Sequence, residues 1–372
     1  MNGLKTQVYS IPSLFEETFK RMEEETHSII STPEMYSVKK VFLIGSGDSY
    51  CAALTVKNTF EKMLQIPVVV VDPFDLVCYE QMKWVGESPL DPLVIAISNS
   101  GMAERTTEAV SWMRAHNALT VGITSNPSSP FGKAVERVIN ISIPSSSPAP
   151  GCRSFFMILM TLYMLAMRMG NVRLKFSMEE RERCFNEMKK AMKWLDENLN
   201  SLSSVIESYA LSFKGGHAAE AIGSGPEWGM AWYSHAKWLE ACGLPCIYSN
   251  SENWFHENYF LRSTGTTPVI VFNPEGSEAE SRSDEILYRM DEMKRNYLAV
   301  LDSDKPFKGT CVKLYKMPYP FLQPFMEWIV PALLTSAWAE QNGEEYSRGF
   351  KGIWKEEKDS FNTVNTKKIR SI

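Results

Sequence analysis

Residues 222–260 read IGSGPEWGMAWYSHAKWLEACGLPCIYSNSENWFHENYF. The stretch opens with an apolar run that ends in Gly-Ser-Gly, continues with a helical pattern, and closes on a polar loop containing His256. A strand that enters a glycine turn and then a helix aims backbone N–H groups at whatever sits above the turn. The helix carries Lys237 and Glu240, three residues apart and so neighbours on one face. An ammonium, a carboxylate and an imidazole close to a possible anion cradle are the equipment of proton transfer. A solvated helix face gives the same pattern, so this stretch alone decides little.

The stretch has a twin. Ile44-Gly45-Ser46-Gly47 recurs as Ile222-Gly223-Ser224-Gly225, and at the same offset Tyr50 answers Trp228, Ala53 answers Ala231 and Phe60 answers Trp238. Ile66-Pro67 and Leu244-Pro245 keep the register. A repeat predicts two copies of one supersecondary plan, so the expectation is two homologous halves. The length of 372 residues leaves each half enough chain for its own core.

Composition bounds the function. A net charge of −5 and a pI near 5.7 argue against a nucleic-acid surface or a basic membrane-binding face. Seven cysteines, odd in number and without paired spacing, read as reduced thiols of a cytoplasmic chain rather than a disulfide framework. No Cys/His spacing reads as a zinc site, and no metal or other cofactor is expected. The longest apolar run, 155–167, is shorter than a membrane span and reads as a buried helix.

In chain order, residues 11–33 read as an amphipathic helix. Apolar runs at 40–45, 67–71, 93–98, 119–124 and 138–143 read as strands alternating with helices, and a second series follows at 218–223, 245–249, 268–272, 297–301 and 311–315. Such alternation implies parallel sheets with right-handed crossovers. The fold class is therefore α/β, with two doubly wound, flavodoxin-like domains. The expected boundaries are a helical segment over 1–35, a first domain over 36–175, a linking helix over 176–213, a second domain over 214–342 and a polar tail over 343–372, part of which reads as disordered.

Two turns in the first half suit a phosphate. In GSGDSY, Gly47 permits close backbone approach and Ser49 sits where the helix begins; in ISNSGMAERT, Ser98, Asn99 and Ser100 bring donors to another helix start. Helix N-termini favour anions, although Ser and Asn are also the commonest plain caps. Two such turns at the carboxyl ends of the first and third strands favour a ligand crevice. GSGDSY lacks the third glycine of a dinucleotide fingerprint.

Together these motifs resemble the sugar isomerase (SIS) domain family, in particular the isomerase half of glucosamine-6-phosphate synthase and its relatives, the fructosamine-6-phosphate deglycases. The resemblance covers nearly the whole chain. It implies that Ser49, Ser98, Asn99 and Ser100 hold the phosphate of an open-chain hexose 6-phosphate, beside Gly47. The family glutamate lies fifteen residues after the second glycine of the second turn, which gives Glu240, with the family lysine at Lys237. The family histidine follows sixteen residues later and gives His256, and the lysine near the family C-terminus best matches Lys355 in GIWKEE.

The departures are specific. The family loop G-E-x-x-H-G-P is here SENWFHENY, so Glu252 stands one residue early and the Gly-Pro is gone; the family threonine after the serine turn is Ala103, with Arg105 or Thr106 able to replace its contact. The sequence starts directly at the repeat, so self-contained transfer of a glutamine amide is not expected. Isomerising or deglycosylating such a sugar moves a proton between C1 and C2, a task for a carboxylate such as Glu240. Ring opening suits an imidazole, hence His256. Lys237 and Lys355 could stabilise an oxyanion or form an imine. The resemblance implies a deglycase or an amino-sugar isomerase or deaminase. Its substrate would be an amino-substituted hexose 6-phosphate, an amino sugar or a fructosyl-amino acid phosphate. It also implies a homodimer, with the aromatics around His256 near the interface. The rival reading is a non-catalytic phosphosugar sensor.

Overall fold

The computed structural model describes residues 2–79, 91–262, 264–346, 351–357 and 360–370. Part of the tail expected to be disordered (347–350, 358–359 and 371–372) lies outside them. The chain divides into two compact units. The first body comprises residues 16–145, 154–181 and 350–372, and the second comprises 1–15, 146–153 and 182–349.

Three helices precede the first strand: α1 (Gly3–Tyr9), α2 (Ile11–Ser28) and α3 (Thr32–Ser37). A capping box stops α3 from fraying, with Ser31 and Glu34 bonding reciprocally across its first turn. Then follow β1 (Val41–Ile44), α4 (Asp48–Leu64), β2 (Val68–Val71), α5 (Pro73–Cys78), β3 (Leu93–Ile97), α6 (Glu104–Ala115), β4 (Leu119–Thr124), α7 (Pro130–Ala134) and β5 (Arg137–Asn140). These strands form one parallel sheet in the order β2-β1-β3-β4-β5. Every residue of β1, β3 and β4 is buried, which is why they read as unbroken apolar runs rather than alternating ones. One side of the sheet packs Phe42, Val94, Val110, Trp112 and Phe131 into a core.

Helix α8 (Cys152–Val172) is longer than the run 155–167 that announced it. It is long and apolar enough to cross a membrane, but 83% of its apolar window is buried inside the protein, and Arg173 just beyond it donates to four main-chain carbonyls. The charged segment expected to link the halves is one 34-residue helix, α9 (Met178–Leu211).

The second series is β6 (Ala219–Ile222), α10 (Pro226–Lys237), a π turn over Trp238–Cys242, β7 (Cys246–Ser249), α11 (Ser251–His256), β8 (Val269–Phe272), α12 (Glu280–Glu292), β9 (Leu298–Leu301) and β10 (Thr310–Lys313), closed by α13 (Pro324–Glu327) and α14 (Ile329–Asn342). Its parallel sheet runs β10-β9-β8-β6-β7. Read from the other edge this is the strand order of the first sheet. In each sheet the chain leaves the first strand in one direction and returns on its other side, so the crevices open at the carboxyl ends of β1 and β3, and of β6 and β8.

Candidate active site

In the first body the turn after β1 is shaped by two glycines with different duties. A Cβ on Gly45 would meet Ser49 Cβ at 2.6 Å, whereas Gly47, at φ 58°, would meet nothing within 4 Å. Gly45 thus lets α4 close onto the strand, and Gly47 turns the chain while leaving the space above it open. Ser49 lies buried in the first turn of α4, and Ser46 Oγ donates to Asp72, the cap of α5, at 3.1 Å. At the end of the neighbouring strand the Asn99 carbonyl accepts from the Ser125 amide at 2.9 Å and from Thr124 Oγ1 at 3.2 Å. Ser100 Oγ accepts from the Met102 amide at 3.2 Å, and the Ser98 amide donates to Ile123 at 3.0 Å. The two turns leave adjacent, directly paired strands.

Helix α6 begins at Ala103 without a side-chain cap. Its cap comes from the tail: the Glu104 amide donates to the Thr363 carbonyl at 3.0 Å. Arg105 Nη2 donates to the Lys367 carbonyl at 2.8 Å, and the Glu108 carboxylate, itself bonded to Arg105, accepts the amides of Ile369 at 2.7 Å and Arg370 at 2.5 Å. Arg370 lies 4.5 Å over the Trp112 ring. Arg105 is therefore engaged by Glu108 and the tail, and Thr106 is buried, as Ser49 and Ser98 are. Lys355 is in the same body, exposed beside Glu357 at 3.4 Å.

In the second body the turn after β6 repeats the first. A Cβ on Gly223 would meet the Glu227 carbonyl at 2.2 Å, and Gly225, at φ 65°, would meet nothing. Lys237, near the end of α10, has no exposed surface; its Nζ donates to Glu240 Oε2 at 2.5 Å and lies 5.1 Å from the Tyr233 ring centroid. Sequence spacing put this pair on a continuous α-helix. Instead the helix widens into a π turn at Trp238, and Glu240 sits in it with a 43% exposed side chain. Single π turns recur at functional sites because the extra residue re-aims a side chain. A buried ammonium demands a partner, and here the partner is a carboxylate that reaches solvent.

His256 was expected in a polar loop and instead ends α11, which Asn250 caps by accepting the Asn253 amide at 2.7 Å. Trp254 is fully buried among β8, β9 and α12 side chains, and His256 remains outside, its Nε2 3.3 Å from Glu252 Oε1. Hydrogen bonds from Arg282 hold the Glu252 carboxyl below its ordinary range. Lys237 and Glu240 are brought into contact; the serines and Lys355 belong to the first body, and Glu240, Lys237 and His256 to the second.

Sequence reading missed a buried acid pair. Glu227 in α10 and Glu327 in α13 are almost wholly buried, and Glu227 Oε1 and Glu327 Oε2 have no hydrogen-bond partner among the described residues. Burial, with the charges of Asp302 and Glu278 nearby, pushes the Glu227 carboxyl up to about 8. The same cause pushes Glu327 well above the carboxylate range. The signal was present: at the offset of the repeat, Glu227 stands where the first half has Ser49.

Each body holds a parallel sheet with a glycine turn at its switch point, and residues 34–168, little more than a third of the chain, match the SIS domain family. Among curated relatives, glutamine–fructose-6-phosphate aminotransferase [isomerizing] 2 of Bos taurus is 22% identical over 212 residues, 54% of this chain and 30% of the relative. The match thus spans less than a third of that protein's length. Among solved structures, the C-terminal domain of glucosamine-fructose-6-phosphate aminotransferase from Francisella tularensis superposes with a TM-score of 0.78 at 15% identity, covering 91% of this chain and 95% of that one. Glucosamine-6-phosphate deaminase from Thermotoga maritima gives 0.65 at 17% identity, covering 91% and 96%. At these identities the likeness is one of fold.

Proposed function

We propose that the protein is a phosphosugar enzyme, a fructosamine-6-phosphate deglycase or an amino-sugar-6-phosphate isomerase or deaminase. The observation that carries this reading is the Lys237–Glu240 pair, a wholly buried ammonium holding a solvent-reaching carboxylate on a π turn. The family match and the names of the neighbours, an aminotransferase with an isomerase activity and a deaminase, support the substrate class. Gly47, Ser49, Ser98, Asn99 and Ser100 receive the phosphate. His256 opens the ring: it takes the proton of the anomeric hydroxyl, on C1 of an amino-aldose or on C2 of a fructosamine, the bond from that carbon to O5 breaks as the carbon becomes a carbonyl, and the same proton passes to O5. Glu240 then removes a proton from one of C1 and C2 and returns it to the other, through an enediol or enaminol whose developing negative charge Lys237, with Lys355, offsets. In the deglycase and deaminase reactions the shift leaves an imine, water adds to its carbon, and the C–N bond breaks with release of the amine.

The shared strand order and the constant offset of the two glycine turns support descent of the halves from one duplicated unit. We read the protein as a cytoplasmic homodimer. Incubation with a panel of phosphorylated amino sugars and fructosamines tests the reading, with turnover of at least one member expected. Tight binding with no turnover of any member would instead make the protein a sensor, and equal binding of the unphosphorylated sugar would remove the phosphate assignment.

A further inference from the structure

The helix that carries His256 is fixed on both sides of the imidazole. At its start Ser224 Oγ donates to Ser251 Oγ at 2.9 Å and accepts the Ser251 amide at 2.8 Å, and the Ser251 and Ser283 hydroxyls are 2.9 Å apart in the interior. This hydroxyl chain joins the glycine turn to α11 and α12. Beyond its end, Asn258 Nδ2 donates to Glu220 Oε1 at 2.8 Å, and Glu220 is a buried strand carboxylate bonded to Arg295. Trp254 pins the middle of the helix in the core. The backbone at His256 is therefore settled, and what remains to be set is the direction of its own ring.

Glu252 is placed to set it. Standing one residue earlier than the family pattern has it, this glutamate falls four residues before His256 on α11, where side chains one turn apart meet. Its Oε1 is 3.3 Å from His256 Nε2. Glu252 is itself gripped: Arg282 donates from Nε to Oε2 at 2.7 Å and from Nη2 to Oε1 at 3.1 Å, a two-pronged bond that fixes the carboxylate plane. Arg282 in turn lies 4.0 Å over the Phe255 ring and bonds Glu285. All three polar side chains are partly exposed, 34% for Arg282, 60% for Glu252 and 69% for His256, so the chain of bonds adds little to folding. Its effect is on orientation. A carboxylate only accepts hydrogen bonds, so in the neutral ring the nitrogen facing Glu252 carries the proton.

We infer that Arg282 and Glu252 are positioning residues that hold His256 as its Nε2–H tautomer, leaving Nδ1 as the nitrogen that takes the anomeric hydroxyl proton and passes it to O5. The inference rests on the proposed role of His256 in ring opening, and its test reads the clamp and that role separately. With 15N-labelled histidine in the full-length protein at alkaline pH, the His256 signals are assigned as those lost in His256→Asn. Wild type is expected to show one tautomer with Nε2 protonated, and Glu252→Ala an average of two. On the phosphosugar turned over fastest, Glu252→Ala should lower kcat by roughly ten- to a hundredfold, the scale of a misplaced catalytic group, with KM little changed. In a His256→Asn background the same substitution should cost nothing further. An averaged ring in wild type, or an equal loss of turnover in both backgrounds, overturns the inference. A ring locked in wild type and released by Glu252→Ala, in a protein that turns over no phosphosugar, would overturn the functional reading while the clamp stands.

Discussion

Glu240 is the residue on which the proposed chemistry turns, and its surroundings give a sharp test. Glu240→Gln keeps size and can still accept a hydrogen bond from Lys237, but it removes the base. Turnover is expected to fall by about 10²–10⁴-fold, the usual worth of acid–base catalysis, with substrate binding little changed and the melting temperature checked in parallel. A variant as active as wild type would mean that the carboxylate serves only to neutralise the buried Lys237. The spacing of Lys237, Glu240 and His256 could be read from the sequence because it is counted along the chain. Their environments could not. Nothing in AKWLEACG distinguishes a π turn from one more turn of α-helix, and SENWFHENY reads as a loop unless the Asn250 cap is weighed against the polar residues that follow. The fate of Arg105, bound by residues 261 and 262 positions away, has no local signal at all.

At the scale of elements, the two glycine turns were legible because only glycine suits Gly47 and Gly225, at φ 58° and 65°, and they recur in register. Their side-chain content differs in a way that composition hides. The first turn places the Ser49 hydroxyl at the start of α4, whereas the second places the buried Glu227 carboxyl at the same position of α10. Buried as it is, the Glu227 carboxyl keeps its proton into the neutral range, so the second turn offers a protonated acid where the first offers a hydroxyl. A stability test follows. The unfolded chain releases this proton near 4.5, while the folded protein keeps it up to about 8. The stability that protonated Glu227 contributes is therefore fully present below the unfolded value and is lost as pH rises towards 8. Glu227→Gln cannot ionise, so its melting temperature should decline less steeply between pH 5 and 8.5 than that of wild type. Parallel declines would show that Glu327 or Asp302 governs the alkaline loss instead.

For the whole molecule, both five-stranded sheets and the long α9 follow from apolar runs and helical periodicity, which are short-range properties. The attachment of residues 363–370 to α6 does not, because it joins positions some 260 residues apart, and several of the tail's partners in it are main-chain amides and carbonyls to which any sequence has access. Assembly is the remaining expectation at this scale. Phe260 and Tyr288 are exposed in the body that carries His256, and exposed aromatics of this kind are enriched at interfaces. Sedimentation at micromolar concentration should return a dimer. A fully active monomer would exclude a site shared between subunits.

The bond between Glu104 and Thr363 also bears on the order of synthesis. A ribosome emits about 5–20 residues per second, and domains fold from the N-terminal side as they emerge. The strands and helices of the first sheet thus leave the ribosome tens of seconds before the residues that cap α6 and satisfy Glu108. A nascent chain interrupted between residues 182 and 349 would present the serine turn before the residues that bond α6 have been made. Helix α6 thus gains its first-turn hydrogen bond, and Glu108 its two amides, only after residues 363–370 have been made.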